Sequence, residues 1–173
     1  SNRDINIRYT ITLRESHQGA NKQIRVKMPD GNYRSIDITI PKGVDTGHKI
    51  RYNALGEQRY TNAPPGDLYV NITVQGDPMF RKLDEHLETK INVDAIDAIL
   101  GCEQVIETFD GGRLSMKIHP GTQSGTRMRI PEHGTYTLDN NRRGDLLVEL
   151  IVKTPKFDSK EDLIKAINNK VNK

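Results

Sequence analysis

Cysteine is nearly missing from these 173 residues: the chain has one, Cys102, and no tryptophan. One thiol cannot close an internal disulfide, and no histidine or second cysteine stands beside it. Cys102 is therefore expected as a small core residue, and a cytoplasmic setting is the simplest one. Long apolar runs are lacking too. Nothing approaches the roughly 18 consecutive apolar residues of a spanning helix, and no basic stretch followed by an apolar one opens the sequence. A soluble chain with no membrane segment is the expectation. Signatures of catalysis are also missing. The five histidines, His17, His48, His86, His119 and His133, show neither HExxH nor His-x-His spacing, so no metal site is expected. There is no phosphate-binding P-loop, no dinucleotide glycine fingerprint and no GxSxG elbow. Neighbouring carboxylates such as Asp84-Glu85 and Glu161-Asp162 lie in polar or helical settings that suit solvated charge. No enzyme activity and no cofactor are expected.

What the sequence has is a phrase written twice. "IPKGVDTGHKIR" at 40–51 returns as "IHPGTQSGTRMR" at 118–129, placing Gly43 on Gly121 and Gly47 on Gly125, 78 residues apart. "PGDLYVNITV" at 65–74 and "RGDLLVELIV" at 143–152 share Gly-Asp-Leu-x-Val at the same spacing. Each repeat is near the size at which one core alone is only marginally stabilising, so mutual support or dimerisation is expected.

Within the repeats the apolar period is two. Ile5, Ile7, Tyr9, Ile11 and Leu13 fall on one side of an extended strand. Ile24, Val26 and Met28 alternate with Gln23, Arg25 and Lys27, and Ile36, Ile38 and Ile40 continue the pattern. "PDGN" at 29–32 is turn chemistry, so 22–40 reads as a hairpin. Segments 87–93, 102–109 and 113–118 take the corresponding places in the second repeat, around "DGG" at 110–112. "DAIDAILG" at 94–101 reads as a helical turn capped by Asp94 and stopped by Gly101. The Gly-x-x-x-Gly loops call for glycine's backbone freedom.

After Pro155 the period changes. Ser159 as N-cap, with Leu163, Ile164, Ile167 and Val171 at helical spacing, predicts an amphipathic helix of about three turns. A helix this short is marginal alone in water, so its stripe packs on its own domain or on a partner subunit. Charge is uneven as well. Residues 1–78 carry 11 Lys and Arg against 8 Asp and Glu, residues 79–157 carry 11 against 12, and the tail 4 against 3. Lys22, Arg25 and Lys27 around the Ile24–Val26 strand suit an acidic peptide, a phosphate backbone, or a solvated strand face kept basic to discourage edge pairing.

The ordered pieces "ITLRESHQGANKQIRV" (11–26), "IDITIPKGVDTGHKIRY" (36–52), "PPGDLYVNITVQGDPMFRK" (64–82), "INVDAIDAILG" (91–101), "FDGGRLSMKIHPGTQSGTRMRI" (109–130) and "RGDLLVELIVKTP" (143–155) resemble the C-terminal substrate-binding region of DnaJ-type J-domain co-chaperones. The resemblance implies a mainly β protein with two tandem β-sandwich-like domains of one repeated fold, at 1–78 and 79–155, and a C-terminal dimerisation helix at 156–173 that uses Leu163, Ile164 and Ile167. With one cysteine in place of four CxxC motifs, the chain is similar to the zinc-free class, including the curved-DNA-binding type. His-Pro-Asp of the J domain is absent from these residues, so the chain by itself is not expected to stimulate ATP hydrolysis by a DnaK-type chaperone. The implied function is a substrate-binding module that takes exposed apolar segments of unfolded polypeptides and presents them to such a chaperone. Carried over position by position, the implied peptide groove uses Ile7, Tyr9, Ile24, Val26 and Val70, with Lys22 at a rim that receives the chaperone's acidic tail. Periodicity by itself places the same five apolar residues in the core. The alternative is a DNA-binding protein of the curved-DNA-binding type.

Overall fold

Wherever the sequence alternates apolar and polar side chains, the backbone is extended. In a computed structural model, which describes residues 1–139 and 142–172, the elements run β1 (Ile5–Thr12), α1 (Leu13–Gln18), β2 (Ala20–Lys27), β3 (Tyr33–Ile40), β4 (Lys49–Tyr52), β5 (Leu68–Gln75), β6 (Arg81–Leu83), β7 (His86–Asp94), α2 (Ala95–Leu100), β8 (Cys102–Glu107), β9 (Arg113–Ile118), β10 (Arg127–Ile130), β11 (Leu146–Lys153) and α3 (Lys160–Val171). The chain is mainly β, as its sequence implies. None of the described helices is long and apolar enough to cross a membrane.

Two units form. Unit 1 comprises Ser1–Pro78 and Thr135–Arg142; unit 2 comprises Met79–Gly134 and Arg143–Lys173. In unit 1 a three-stranded sheet has the order β1-β5-β4, with β1 parallel to β5 and β4 antiparallel to it. The hairpin β2-β3 covers it, and Ile24, Val26, Ile36, Ile38 and Ile40 share one core with Ile11, Leu68, Val70 and Ile72. In unit 2 the sheet is four-stranded, β10-β11-β7-β6, and the hairpin is β8-β9. Its buried side chains include Leu87, Val93, Ile106, Phe109, Met116, Ile118, Leu146, Val148 and Leu150.

The repeat is visible in register. Ile5 faces Leu68 and Leu87 faces Leu146, so the first strands correspond at an offset of 82 and the last strands at 78. The difference lies in the hairpins: β2-β3 carries the pairs Val26↔Arg34 and Lys27↔Tyr33 beyond the counterpart of the last β8-β9 pair, Glu107↔Arg113. The glycine loops recur with left-handed backbone, φ +85° at Gly43 and +82° at Gly121. In the Gly-Asp-Leu phrase the constraint is contact, because a Cβ on Gly66 would lie 1.9 Å from the Arg3 carbonyl oxygen and one on Gly144 2.0 Å from that of Glu85.

Two local expectations are corrected. The strand expected through Leu13 ends at Thr12, because Thr12 and Glu15 form a capping box that starts α1: Thr12 Oγ1 accepts from the Glu15 amide and Glu15 Oε1 accepts from the Thr12 amide, both at 3.1 Å. Leu13 is buried from this helix instead. Cys102, expected in the core, is half-buried at the start of β8. Strand β6 is an addition that three residues were too few to signal. The short helix α2 does have Asp94 as N-cap and Gly101 after it, and α3 begins after Ser159, whose hydroxyl accepts from the Asp162 amide at 3.1 Å. The tail expected as 156–173 is described as far as residue 172.

Segment Thr135–Arg142 completes unit 1. The Tyr136 ring stacks on buried His17 at 4.9 Å, and Lys42 Nζ lies 3.5 Å from the centre of that ring.

Candidate functional site

A sheet edge exposes unpaired N–H and C=O groups unless something covers it. Unit 1 has two such edges side by side. Among the described residues, strand β1 pairs only with β5, and β2 pairs only with β3. Between their outer edges runs a furrow of about 460 Å³ lined by Ile7, Arg8, Tyr9, Gln23, Ile24, Arg25, Val26 and Lys27. That volume falls within the roughly 300–1,000 Å³ of small-ligand sites.

The two strands contribute differently. On β1 the apolar face closes over only at Ile11, 1% exposed, while Ile7 and Tyr9 remain half-buried. On β2, Ile24 and Val26 are 8% and 4% exposed, and their outer surfaces form the apolar floor. Four of the residues singled out from sequence therefore meet at one furrow. Val70 does not join them: it faces Ile7 in register but has no exposed surface, because β5 lies between β1 and β4.

Lys22 also stands apart from the lining. Its Nζ is 2.5 Å from Glu15 Oε2. The hydrogen bond from Lys22 is the main cause that holds the Glu15 carboxyl below the usual carboxylate range, and the same bond raises the Lys22 ammonium. The cations on the furrow itself are Arg8, Arg25 and Lys27, and among the described residues no carboxylate lines it. Arg25 places its guanidinium 4.4 Å from the centre of the Tyr33 ring on the neighbouring strand. Arg8 was not among the site residues read from sequence. Alternation points it away from the apolar face, yet at a free edge side chains from both faces border the opening.

In chemical terms the site offers an apolar floor, a cationic rim and two rows of backbone donors and acceptors. Its polar lining consists of the Tyr9 phenol, the Gln23 amide, the Lys27 amine and the guanidinium groups of Arg8 and Arg25. No cluster of potential metal ligands occurs among the described residues.

The second feature singled out from sequence is the tail. In α3, Leu163 and Ile167 are half-buried, whereas Ile164 and Val171 are 56% and 58% exposed. Lys170 Nζ reaches Asp97 Oδ1 of α2 at 2.7 Å, and this bond raises its pKa. Ile99 on α2 is 66% exposed.

Comparison with known proteins accounts for nearly the whole length. The family model for the DnaJ C terminal domain matches residues 5–155. Among curated proteins, the Chaperone protein DnaJ of Maricaulis maris is 37% identical over 134 residues, covering 76% of this chain and 34% of that protein. Those of Syntrophotalea carbinolica and Cereibacter sphaeroides are 38% and 39% identical over 122 residues, 70% of this chain and 32% of theirs. The chain thus spans about a third of the length of these relatives. With a β unit that occurs twice, its last strands at the 78-residue offset of the repeated phrase, and a family match from the first strand to the last, the chain belongs to the DnaJ C-terminal domain family.

Proposed function

We propose that this chain is the client-binding part of a co-chaperone, and that the furrow of unit 1 takes extended, apolar segments of unfolded polypeptide. The observation that carries the proposal is the meeting of Ile7, Tyr9, Ile24 and Val26 between two unpaired strand edges. An extended peptide laid along such an edge gains main-chain hydrogen bonds and seats alternate side chains in the apolar floor. One buried Leu-sized side chain contributes roughly 1.5–3 kcal/mol, while association costs an estimated 4 kcal/mol or more. One anchor cannot hold a client. Two or three, with edge hydrogen bonds of about 1 kcal/mol each, reach about −6 to −8 kcal/mol, near micromolar affinity. Such binding is tight enough to hold a client and loose enough to pass it to a DnaK-type chaperone. Arg8, Arg25 and Lys27 on the rim suit an acidic segment, including the acidic tail of that chaperone.

The tail gives the second half of the proposal. Ile164 and Val171 of α3, with Ile99 of α2, leave apolar surface for a second copy of the chain, and a dimer raises effective client affinity by placing two furrows at high local concentration.

The test replaces Ile7 and Tyr9 together by Ser, both half-buried, and measures how well the full chain suppresses aggregation of an unfolded client. Suppression is expected to fall while the fold persists; unchanged suppression rejects the furrow. For the tail, truncation after Pro155 is expected to give a monomer in solution, and an unaltered dimer mass rejects the role of Leu163, Ile164 and Ile167. The basic rim and the sequence pI of 8.9 favour one other reading, DNA binding. That reading requires an affinity that falls steeply with salt as counterions are released, whereas apolar peptide binding changes little.

A further inference from the structure

The outward faces of the two sheets differ in charge. In unit 1 alternation turns Asn6 and Arg8 of β1, Lys49 and Arg51 of β4, and Tyr69 and Asn71 of β5 away from the core. Two rungs cross this face in register: Arg8, Asn71 and Lys49 form one, and Asn6, Tyr69 and Arg51 the next. In unit 2 the same rungs read Lys90, Glu149 and Arg127, then Glu88, Leu147 and Arg129. There Glu149 stands between two cations, 3.6 Å from Lys90, and Glu88 reaches Arg81 at 3.1 Å and Arg127 at 3.3 Å. The corresponding residues of unit 1 are amides, Asn71 and Asn6. Arg51 is matched in both units, by Asp67 here as Arg129 is by Asp145. Arg8 and Lys49, both exposed, therefore flank a neutral side chain, on strands spaced about 4.8 Å from the one between them. A third exchange lies beside them: Leu147 of unit 2 is Tyr69 of unit 1, half-buried, with the Lys49 ammonium 5.3 Å from its ring centre.

We propose that this face of unit 1 binds single-stranded nucleic acid, with a phosphate where unit 2 keeps the Glu149 carboxylate and a base stacked on Tyr69. Unit 2 supplies the template for the first contact, since its own rung holds an oxyanion between Lys90 and Arg127. A carboxylate from an acidic peptide would meet the cations equally well, but the ring adds a surface that a peptide acid does not use. Tyr69 is two residues along β5 from Asn71, about 7 Å, comparable to the reach from a phosphate to its own base. Bases on aromatic side chains and phosphates on neighbouring cations are the two contacts that hold single strands without sequence preference. A duplex offers its phosphates but keeps its base faces stacked, so it uses only half of the site. Asn71 suits the same role, because its amide nitrogen donates to the Ile7 carbonyl at 3.1 Å and so fixes an uncharged side chain between the two cations. The face is distinct from the apolar floor of the furrow, and the proposal stands whether or not the furrow takes clients; Arg8 borders both.

The test uses the full chain, isotope-labelled for NMR, and an oligothymidylate of about 10 nucleotides, within the span of one single-strand site. The amides of Lys49, Tyr69 and Asn71 are expected to shift on titration. No shift at all, or shifts confined to residues 23–27 on the furrow rim, overturns the proposal. Two variants borrow the residues that unit 2 carries at the same register positions, so both suit the sheet. Tyr69→Leu is expected to weaken binding about fivefold or more, the low end for one stacked base, with the salt dependence retained. Asn71→Glu restores a carboxylate between the cations and is expected to weaken binding at least about tenfold, the loss of roughly one phosphate contact, while Asn71→Gln keeps wild-type affinity. Should either borrowed residue disturb the fold in circular dichroism, Lys49→Gln at an exposed position reads the phosphate contact instead, lowering the slope of log affinity against log salt by about 0.7. Wild-type binding by Tyr69→Leu or Asn71→Glu, or an unaltered slope for Lys49→Gln, overturns the proposal. So does equal binding of a duplex of the same length, which removes the base from recognition, or of an oligoglutamate, which makes the site one for peptide acids.

Discussion

Phe80→Ala is the perturbation with the clearest consequence. The ring is 5% exposed, meets Phe109 at 5.1 Å with the planes tilted by 57°, and stands next to β6, which pairs with β7. Truncating a buried phenylalanine to alanine costs about 3–5 kcal/mol through lost transfer energy and the cavity left behind, and a tilted aromatic pair contributes roughly 0.5–1.5 kcal/mol beyond its buried area. A domain of this size is stable by only about 5–15 kcal/mol, so the loss is a large fraction of the whole. The sequence provides a convenient assay. All 6 tyrosines, Tyr9, Tyr33, Tyr52, Tyr60, Tyr69 and Tyr136, belong to unit 1, and the 3 phenylalanines, Phe80, Phe109 and Phe157, belong to unit 2. Tyrosine fluorescence during urea unfolding therefore follows unit 1, while far-ultraviolet circular dichroism follows both units. The variant is expected to shift the dichroism midpoint to lower urea by an amount that extrapolates to about 3 kcal/mol or more. A double-mutant cycle with Phe109→Ala should return a coupling of about 0.5–1.5 kcal/mol. A cost below about 1 kcal/mol, or zero coupling, would refute the account of Phe80 as the anchor beside β6.

Other outcomes follow from the same geometry. Ile24→Ser and Val26→Ser, at positions 8% and 4% exposed, are expected to lower stability as well as client binding, by about 1–3 kcal/mol each in urea titrations, because each deletes buried apolar atoms and buries a hydroxyl. Reversing Arg8, Arg25 and Lys27 together to Glu should weaken binding of acidic peptides and reduce its dependence on salt, with each exposed substitution changing stability by no more than about 0.5 kcal/mol; unchanged binding in fluorescence anisotropy would remove the rim from recognition. Asp67 accepts from the Ala54 amide at 2.9 Å and from Arg51 Nη2 at 2.6 Å, and the Ala54 bond first, then Arg51, holds its carboxyl below the ordinary 3.8. Asp145 repeats this with the Glu132 amide and Arg129. Their folded values lie below the unfolded ones, so their stabilisation is present above the ordinary carboxylate value and is lost as pH falls through the lowered folded value. Melting temperature should therefore drop less steeply in acid for the Asp67→Asn, Asp145→Asn double variant, and an unaltered acid limb would show the pairs to be inconsequential.

Much of this arrangement is legible in the residues because the signals are local. Alternation places β1, β2 and β3, "PDGN" places the turn between the latter two, and Asp94 and Ser159 start α2 and α3. The repeated phrase is legible because Gly66 and Gly144 leave no room for any other residue. What escapes is what depends on neighbours. Ile7 and Ile11 share one face of one strand, yet only Ile11 is sealed. Val70 carries the same pattern as Ile7 but sits on a strand paired on both sides. Lys22 belongs to the same basic run as Arg25 and Lys27, but its charge is met by Glu15 from α1, a helix whose only sequence signal is Thr12 followed three residues later by Glu15. Strand β6 is three residues long and has no period to display.

Residues 135–142 lie far along the sequence but belong to unit 1, where Tyr136 covers His17 and Lys42. On the ribosome, the N-terminal half of a nascent chain has all of its strands well before it has this covering piece. It must wait, nearly assembled, until most of the second half has been translated. A fragment cut at Pro78 would stay permanently at that stage, with an imidazole left uncovered that the finished protein keeps from water.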